Sequence, residues 1–310
     1  MRDKEYMETA LMLARQAKGQ TSPNPLVGAV VVKDGQIVGM GAHLKAGEPH
    51  AEVHAIRMAG EKAEGSTVYV TLEPCSHLGR TPPCADLLVQ SKVKRVVIAV
   101  EDPNPLVSGS GINRLKASGL TVEIGVLQDE ATKLNKHFFH YVQTKKPFVT
   151  LKIAASLDGK TATSTGESKW ITGSDAREDV HLARAEHDAI LVGVNTVLKD
   201  DPSLTCRLKG TRRQPIRIIM DTHLRTPISA QVVNDQCAPT WIITGNQVDS
   251  DQIKLFRERG VKIITLTSET IKIDELLTRL GQETITSLYV EGGSTVHGSF
   301  VKEKAFNEII

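Results

Sequence analysis

Apolar residues first recur at helical spacing, at Tyr6, Ala10, Leu13, Ala14 and Ala17. This predicts a helix from Asp3 to Lys18, with Asp3 placed to cap it. The period then shortens to that of strands, Val27 to Val32 and Gln36 to Gly41, on either side of Lys33-Asp34-Gly35. An Asp-Gly pair between two apolar runs predicts a hairpin. The pattern goes on with a helix from His50 to Met58, a strand from Thr67 to Leu72, a helix from Pro83 to Gln90 and a strand from Arg95 to Val100. After the break at Asp102-Pro103-Asn104-Pro105 it predicts a helix, a strand and one long helix ending near Val142. Such an order makes a three-layer α/β/α domain, antiparallel in its hairpin and parallel where helices separate the strands.

Thr144-Lys145-Lys146-Pro147 is polar and ends in proline, so it divides a first domain, 1–144, from a second, 148–310. Strand patterns follow at Phe148 to Ala154, Ala189 to Val194, Ile216 to Asp221, Thr240 to Thr244, Val261 to Leu266 and Ser287 to Glu291. Helical patterns lie between most of them, at Ser174 to Glu186, Ser250 to Arg257 and Ile273 to Leu280. This predicts a doubly wound α/β sheet that takes its ligands beyond the carboxyl ends of the strands. Phe306 to Ile310 looks like the opening of a further strand, so the second sheet is expected to be incomplete at its C-terminal end.

A length of 310 residues agrees with two domains, and 40% hydrophobic and 24% charged residues with a globular chain. No apolar run approaches the roughly 18 residues of a membrane helix, and the charged start lacks the apolar core of a signal peptide. A net charge of +2 and 4% aromatic residues leave neither a basic footprint nor stacking platforms for nucleic acid. The four cysteines, Cys75, Cys84, Cys206 and Cys237, fit a reducing compartment, where thiols bind metal or fill core. A soluble, cytoplasmic enzyme acting on a small molecule is expected, without membrane or nucleic-acid partners.

The densest chemistry is His50-Ala51-Glu52 followed by Pro74-Cys75 and Cys84. One imidazole and two thiolates supply the three protein ligands of a catalytic zinc and leave the fourth position to water. Glu52 then stands beside the metal as general acid and base. For that, His50 must begin a helix, since two steps inside one would turn Glu52 roughly 200° away; Pro49 favours such a start. Cys84 likewise follows Pro82-Pro83 at a helix start, where the dipole favours a thiolate. A closed structural zinc with His54 or His77 as fourth ligand is the duller alternative. His50 and His54 also imitate a metalloprotease pair, but that motif needs Glu where Ala51 stands. The order H-x-E…P-C-x-x-C is that of zinc deaminases.

Eight residues separate the cysteines where nucleoside and tRNA deaminases have two. The longer form, Pro74-Cys75-Ser76-His77-Leu78-Gly79-Arg80-Thr81-Pro82-Pro83-Cys84, together with Asn24-Pro25-Leu26-Val27-Gly28-Ala29-Val30-Val31, resembles the deaminase half of the bifunctional riboflavin-biosynthesis deaminase/reductase family. The resemblance continues through Ala154-Ala155-Ser156-Leu157-Asp158-Gly159-Lys160, Ser168-Lys169-Trp170-Ile171-Thr172, Gly193-Val194-Asn195-Thr196, Asp200 to Arg207 and Glu291-Gly292-Gly293-Ser294. It implies a cytidine-deaminase-like fold followed by a dihydrofolate-reductase-like one. It also implies deamination of 2,5-diamino-6-(5-phosphoribosylamino)pyrimidin-4(3H)-one and then NADPH-dependent reduction of the ribosyl group of 5-amino-6-(5-phosphoribosylamino)uracil, in a homo-oligomer, a tetramer.

The same resemblance puts NADPH near Ala154, Trp170, Thr196, Asp200, Thr222 and the loop Gly293, Ser294, Thr295, Val296, His297, Gly298 and Ser299. It puts substrate near Ser168, Arg184, Leu204, Arg207 and Glu291, and makes Asp200 the polar group nearest the reduction. Physically, a strand running into Gly292-Gly293-Ser294 and a helix offers backbone N–H groups to a phosphate, although a Gly-Gly loop is as often a plain turn. No G-x-G-x-x-G follows a strand, so an ordinary Rossmann site is not expected. Arg184 and Arg207 suit a sugar phosphate, or are solvated charges. Trp170 could be core, Cys206 and Cys237 look like small buried hydrophobes, and Asp158-Gly159 like a hairpin turn. Two rivals stand beside this reading: a nucleic-acid or nucleoside zinc deaminase with an accessory domain, and a zinc-stapled scaffold without turnover.

Overall fold

The computed structural model describes residues 2–76, 83–104, 107–165, 170–210 and 213–310. The chain forms two compact units, Met1–Thr144 and Lys145–Ile310. Among the described residues no helix is long and apolar enough to cross a membrane.

The first unit begins with α1 (Arg2–Arg15), which buries Met7, Ala10, Leu11 and Ala14. The hairpin β1 (Gly28–Lys33) and β2 (Gln36–Ala42) follows. Its turn places Asp34 at φ 51° and Gly35 at φ 77°, the left-handed pair that a two-residue turn requires. Then come α2 (Ala51–Ala59), β3 (Thr67–Val70), α3 (Cys84–Gln90), β4 (Arg95–Ile98), α4 (Ser110–Ala117) and β5 (Thr121–Ile124). The sheet order is β2-β1-β3-β4-β5, with β1 antiparallel to both neighbours and the β3–β4 and β4–β5 pairs parallel.

The long helix expected to end near Val142 is two helices, α5 (Gln128–Leu134) and α6 (Lys136–Thr144), broken at Asn135. Buried Asn135 accepts the Leu26 N–H on Oδ1 (2.8 Å) and donates Nδ2 to the Leu26 carbonyl (2.9 Å), so its side chain pairs with a backbone 109 positions earlier. Helical periodicity carries no trace of such a bond.

The second unit holds β6 (Phe148–Leu151), α7 (Ser174–Glu186), β7 (Ala189–Gly193), α8 (Val194–Asp200), β8 (Ile216–Met220), α9 (Gln231–Asn234) and β9 (Thr240–Thr244). After them come α10 (Ser250–Glu258), β10 (Lys262–Thr265), α11 (Ile273–Gln282), β11 (Ser287–Val290), α12 (Ser294–Lys302) and β12 (Glu308–Ile309). All pairs are parallel, in the order β10-β9-β8-β7-β11-β6-β12. Alternate residues of β7 serve opposite faces: Ala189 and Leu191 join the core with Leu276, Leu280 and Phe300, while Ile190 and Val192 pack with Val232, Phe256 and Tyr289. Burial on both faces explains why these strands read as unbroken apolar runs. The expected strand opening at the C-terminal end is β12, parallel to β6.

Two smaller expectations fail. Cys237 is exposed, not buried, while Cys206 is buried and donates its thiol to the His181 carbonyl (3.2 Å). Asp158-Gly159 does turn the chain, with the Gly159 N–H on the Ser156 carbonyl (2.8 Å), but among the described residues no strands flank it as in a hairpin. Ser156 and Asp158 satisfy the turn with their own side chains.

Candidate metal centre and nucleotide cleft

His50 is the N-cap of α2, at φ −72° and ψ 164°, and is therefore extended while Ala51 and Glu52 are already helical. That single extended residue lets His50 and Glu52 converge, as the two-residue spacing demanded. Cys84 is the first residue of α3, capped by Pro83. Cys75 sits in the loop after β3, tied to α3 by the Ala85 N–H on its carbonyl (3.1 Å) and by the Cys84 N–H on its own Sγ (3.3 Å). His50 Nδ1 lies 3.3 Å from Cys84 Sγ and 3.7 Å from Cys75 Sγ.

The ligand atoms of His50, Cys75 and Cys84 all lie within 4.8 Å of one another, and among the described residues they form the one group able to hold a metal. His54, a candidate for a closed fourth position, is not part of it; His77 lies outside the described residues. One nitrogen and two sulfurs are a donor set that zinc accepts with a position left over. Glu52 is 3% exposed, and among the described residues its Oε2 is buried without a hydrogen-bond partner. An orphaned buried carboxylate oxygen beside three ligands is what a bound zinc and its water would satisfy, so the residues fit the metal.

Electrostatics follow the packing. Burial pushes the Glu52 carboxyl up to about 7. A hydrogen bond with Cys75 pushes the His50 imidazole above its ordinary value. A hydrogen bond with the Cys84 thiol, then one with His50, holds Cys75 well below the usual thiol range, while the same hydrogen bond and burial push Cys84 up. Sequence reasoning missed one neighbour, His43. It is buried, with Nδ1 3.2 Å from the Pro49 carbonyl, Nε2 3.1 Å from Asn24 Nδ2 and its ring edge-on to His50 at 5.4 Å. Facing a carbonyl, Nδ1 must carry the proton, so Nε2 accepts from Asn24.

In the second unit the parallel strands bring Ala154, Thr196, Thr222, Glu291 and the Gly293-to-Ser299 segment to the carboxyl-end side of one sheet. Gly293 caps α12, and Ser294 and Thr295 are exposed in its first turn. Val296, by contrast, is core. Its side chain fills the space where Cβ atoms on Gly193 and Gly292 would sit, 2.8 Å and 2.5 Å away, so only its backbone is open to a ligand. The remaining turn is satisfied locally, with His297 Nε2 3.3 Å from the Val290 carbonyl and the Ser299 hydroxyl donating to the Thr295 carbonyl.

Arg184 and Glu291, 107 positions apart, form a fork at 2.6 and 2.9 Å, and Arg184 also donates to the Thr205 carbonyl (2.9 Å). Their guanidinium and carboxylate bind each other, and Arg207 is exposed in that loop, as is Lys209. Leu204 is buried with φ 53°, Asp200 ends α8 exposed, and Trp170 is 73% exposed with the Arg177 guanidinium 4.6 Å over its ring. Trp170 is therefore not core; Ser168 lies outside the described residues. A cavity of about 230 Å³ opens among Lys152, Ala154, Thr172, Asp179, Tyr289 and Ile310. Among the described residues, Ala154 is the one predicted residue that lines it, and the Tyr289 hydroxyl is buried without a hydrogen-bond partner. Neither Lys152 nor Tyr289 carries a local signal, because each reads as part of an ordinary strand.

Residues 1–100 match the cytidine and deoxycytidylate deaminase zinc-binding region, and residues 147–310 match the RibD C-terminal domain. The chain is 57% identical over 304 residues to riboflavin biosynthesis protein RibD of Bacillus amyloliquefaciens, covering 98% of this chain and 82% of that one. With RibD of Escherichia coli (strain K12) the identity is 46% over 325 residues, covering 100% and 87%. Among solved structures, Acinetobacter baumannii RibD (form 1) superposes with a TM-score of 0.90 at 43% identity, covering 99% of this chain and 85% of that one. A diaminohydroxyphosphoribosylaminopyrimidine deaminase/5-amino-6-(5-phosphoribosylamino)uracil reductase from Thermotoga maritima superposes at 0.86 with 41% identity, covering 97% and 84%.

Proposed function

The chain belongs to the family of riboflavin biosynthesis protein RibD, and from that premise we propose how its two units divide the family's work. It is a bifunctional enzyme of riboflavin biosynthesis, a zinc-dependent deaminase and an NADPH-dependent reductase. The first unit deaminates 2,5-diamino-6-(5-phosphoribosylamino)pyrimidin-4(3H)-one, and the second reduces the ribosyl group of 5-amino-6-(5-phosphoribosylamino)uracil. The observation that carries this reading is the convergence of His50, Cys75 and Cys84 beside a buried, unpartnered Glu52 oxygen.

His50, Cys75 and Cys84 hold zinc, which when bound supplies Lewis-acid activation of a water molecule. Glu52, shielded from solvent, takes a proton from the attacking water and delivers it to the departing ammonia. In the second unit the backbone N–H groups around Gly293, Ser294 and Thr295 receive phosphate oxygens of NADPH, which supplies the hydride. Ala154, Trp170, Thr196, Asp200 and Thr222, with Val296 to Ser299, complete the cofactor surface. Substrate contacts are assigned to Ser168, Arg184, Leu204, Arg207 and Glu291, with exposed Arg207 gripping the phosphate. Membership of the family supports a cytoplasmic homo-oligomer, a tetramer, which light scattering and cell fractionation would check. The main test measures three quantities on the full chain: zinc per chain, ammonia released from the diaminopyrimidine, and NADPH consumed with the deaminated substrate. Zinc-loaded protein without ammonia release would overturn the assignment of the first unit.

A further inference from the structure

The chemistry above leaves one buried carboxylate of the first unit unused. Glu73, two positions before Cys75, is 4% exposed. Among the described residues its partners are backbone N–H groups: Oε1 accepts from Gly111 (2.8 Å) and Ile112 (3.2 Å), and Oε2 from Gly109 (3.0 Å) and Asp102 (3.2 Å). Three of the four belong to the N-terminal turn of α4 and its Gly109 cap. These are the groups a helix leaves unbonded, at the end where its dipole favours negative charge. Four N–H donors can compensate a buried carboxylate where a lone one could not remain buried.

The same helix end presses on the cysteine loop at two further points. The Pro74 carbonyl stands 2.0 Å from where a Cβ on Gly111 would be, so only glycine allows the approach. Ser76 and Ser110 share a hydroxyl contact of 2.6 Å. Glu73, Pro74 and Ser76 thus fasten α4 on both sides of Cys75, while Cys75 itself meets α3 through Cys84 and Ala85. The cysteine loop is clamped between two helix starts, and Glu73 forms the charged bond of that clamp.

We infer that Glu73 is a positioning residue of the metal centre: by binding the start of α4 it fixes Cys75 against Cys84 and His50, and so sets how slowly zinc leaves. The inference rests on the reading of those three residues as ligands. Outer-shell partners of metal ligands are worth about 10- to 100-fold in metal affinity or activity. In Glu73→Gln, an amide group would face N–H donors that a carboxylate oxygen now accepts. Zinc release from the full chain to a chromophoric chelator, well below the melting temperature, should therefore be about 10- to 100-fold faster. Ser110→Ala removes one hydroxyl contact and should speed release about 2- to 10-fold; it decides the matter alone where Glu73→Gln does not fold. Val97→Ala, a core truncation in β4, lowers stability without touching the clamp and should leave release near the wild-type rate. Wild-type release from both clamp variants, or equally fast release from Val97→Ala, would mean that Glu73 only holds the fold and would overturn the inference. Wild-type protein that binds no zinc would instead defeat the ligand reading beneath it.

Discussion

The two sites are built on opposite plans. The metal centre converges three ligand atoms to within 4.8 Å, with a buried acid at their side, and both of its helices begin at a ligand or one residue past it. The ligand residues expected in the second unit spread instead over the carboxyl ends of several parallel strands, with Trp170 exposed and Arg184 bound to Glu291. A metal needs a few atoms at fixed distances, which rigid helix starts supply. A dinucleotide and a sugar phosphate need a long surface that ligand itself completes.

The sharpest way to break the contrast is to remove a ligand from the first site alone. Cys75→Ser should abolish zinc binding and ammonia release while reduction of deaminated substrate continues; elemental analysis with both assays checks this, and full zinc occupancy would refute the ligand set. A smaller effect is expected of Glu52→Gln, which keeps the shape but cannot carry the proton. Zinc should stay, and deamination should slow by about 10²- to 10⁴-fold.

Arg207→Ala probes the open site. Loss of a charge-assisted hydrogen bond, about 1.5–3 kcal/mol, should raise the reductase KM for substrate by roughly 10- to 150-fold and leave ammonia release unchanged. Equal damage to both activities would show that the sites are not independent.

The smallest effect concerns the scaffold of the first unit. Asp3 of α1 bonds Arg95 of β4 and Tyr69 of β3, and the Arg95 hydrogen bond, then Tyr69, holds its carboxyl down to about 2. The unfolded chain takes up that proton first as pH falls. The contribution is therefore complete above about pH 4 and is lost as pH drops through about 2. Because the pair is partly exposed, solvent screening keeps it to about 1 kcal/mol or less. Asp3→Asn should lower the melting temperature slightly at pH 7 and hardly at all near pH 2; an equal loss at both would place the effect elsewhere.

The same contrast governs what the sequence could reveal. His50, Glu52, Cys75 and Cys84 were legible because zinc chemistry restricts residue type, order and helix position together. The hairpin was legible because Asp34-Gly35 answers a local dihedral demand. Partnerships across long stretches of chain were not. Asn135 binds the Leu26 backbone, Glu73 reaches Ile112, and Arg184 reaches Glu291, all through side chains whose neighbours give no hint of the partner. The helix α8 was missed because its apolar residues continue those of β7 without a change of composition. The packing role of Val296 was not legible either, because its loop reads as phosphate-binding while its side chain fills the space beside two glycines.

The position of β11 has a consequence for the birth of the molecule. It lies between β7 and β6, so these two cannot join through the sheet until residues 287–290 have been made. The first unit is finished by Thr144, with its sheet assembled mostly from strands near in sequence. At about 5–20 residues per second on the ribosome, the unit bearing the cysteines completes its sheet roughly 7 to 30 seconds before the second can close. During that interval β6 and β7 are exposed as unpaired parallel edges, which makes the nascent second unit the part of this chain with most to gain from a chaperone.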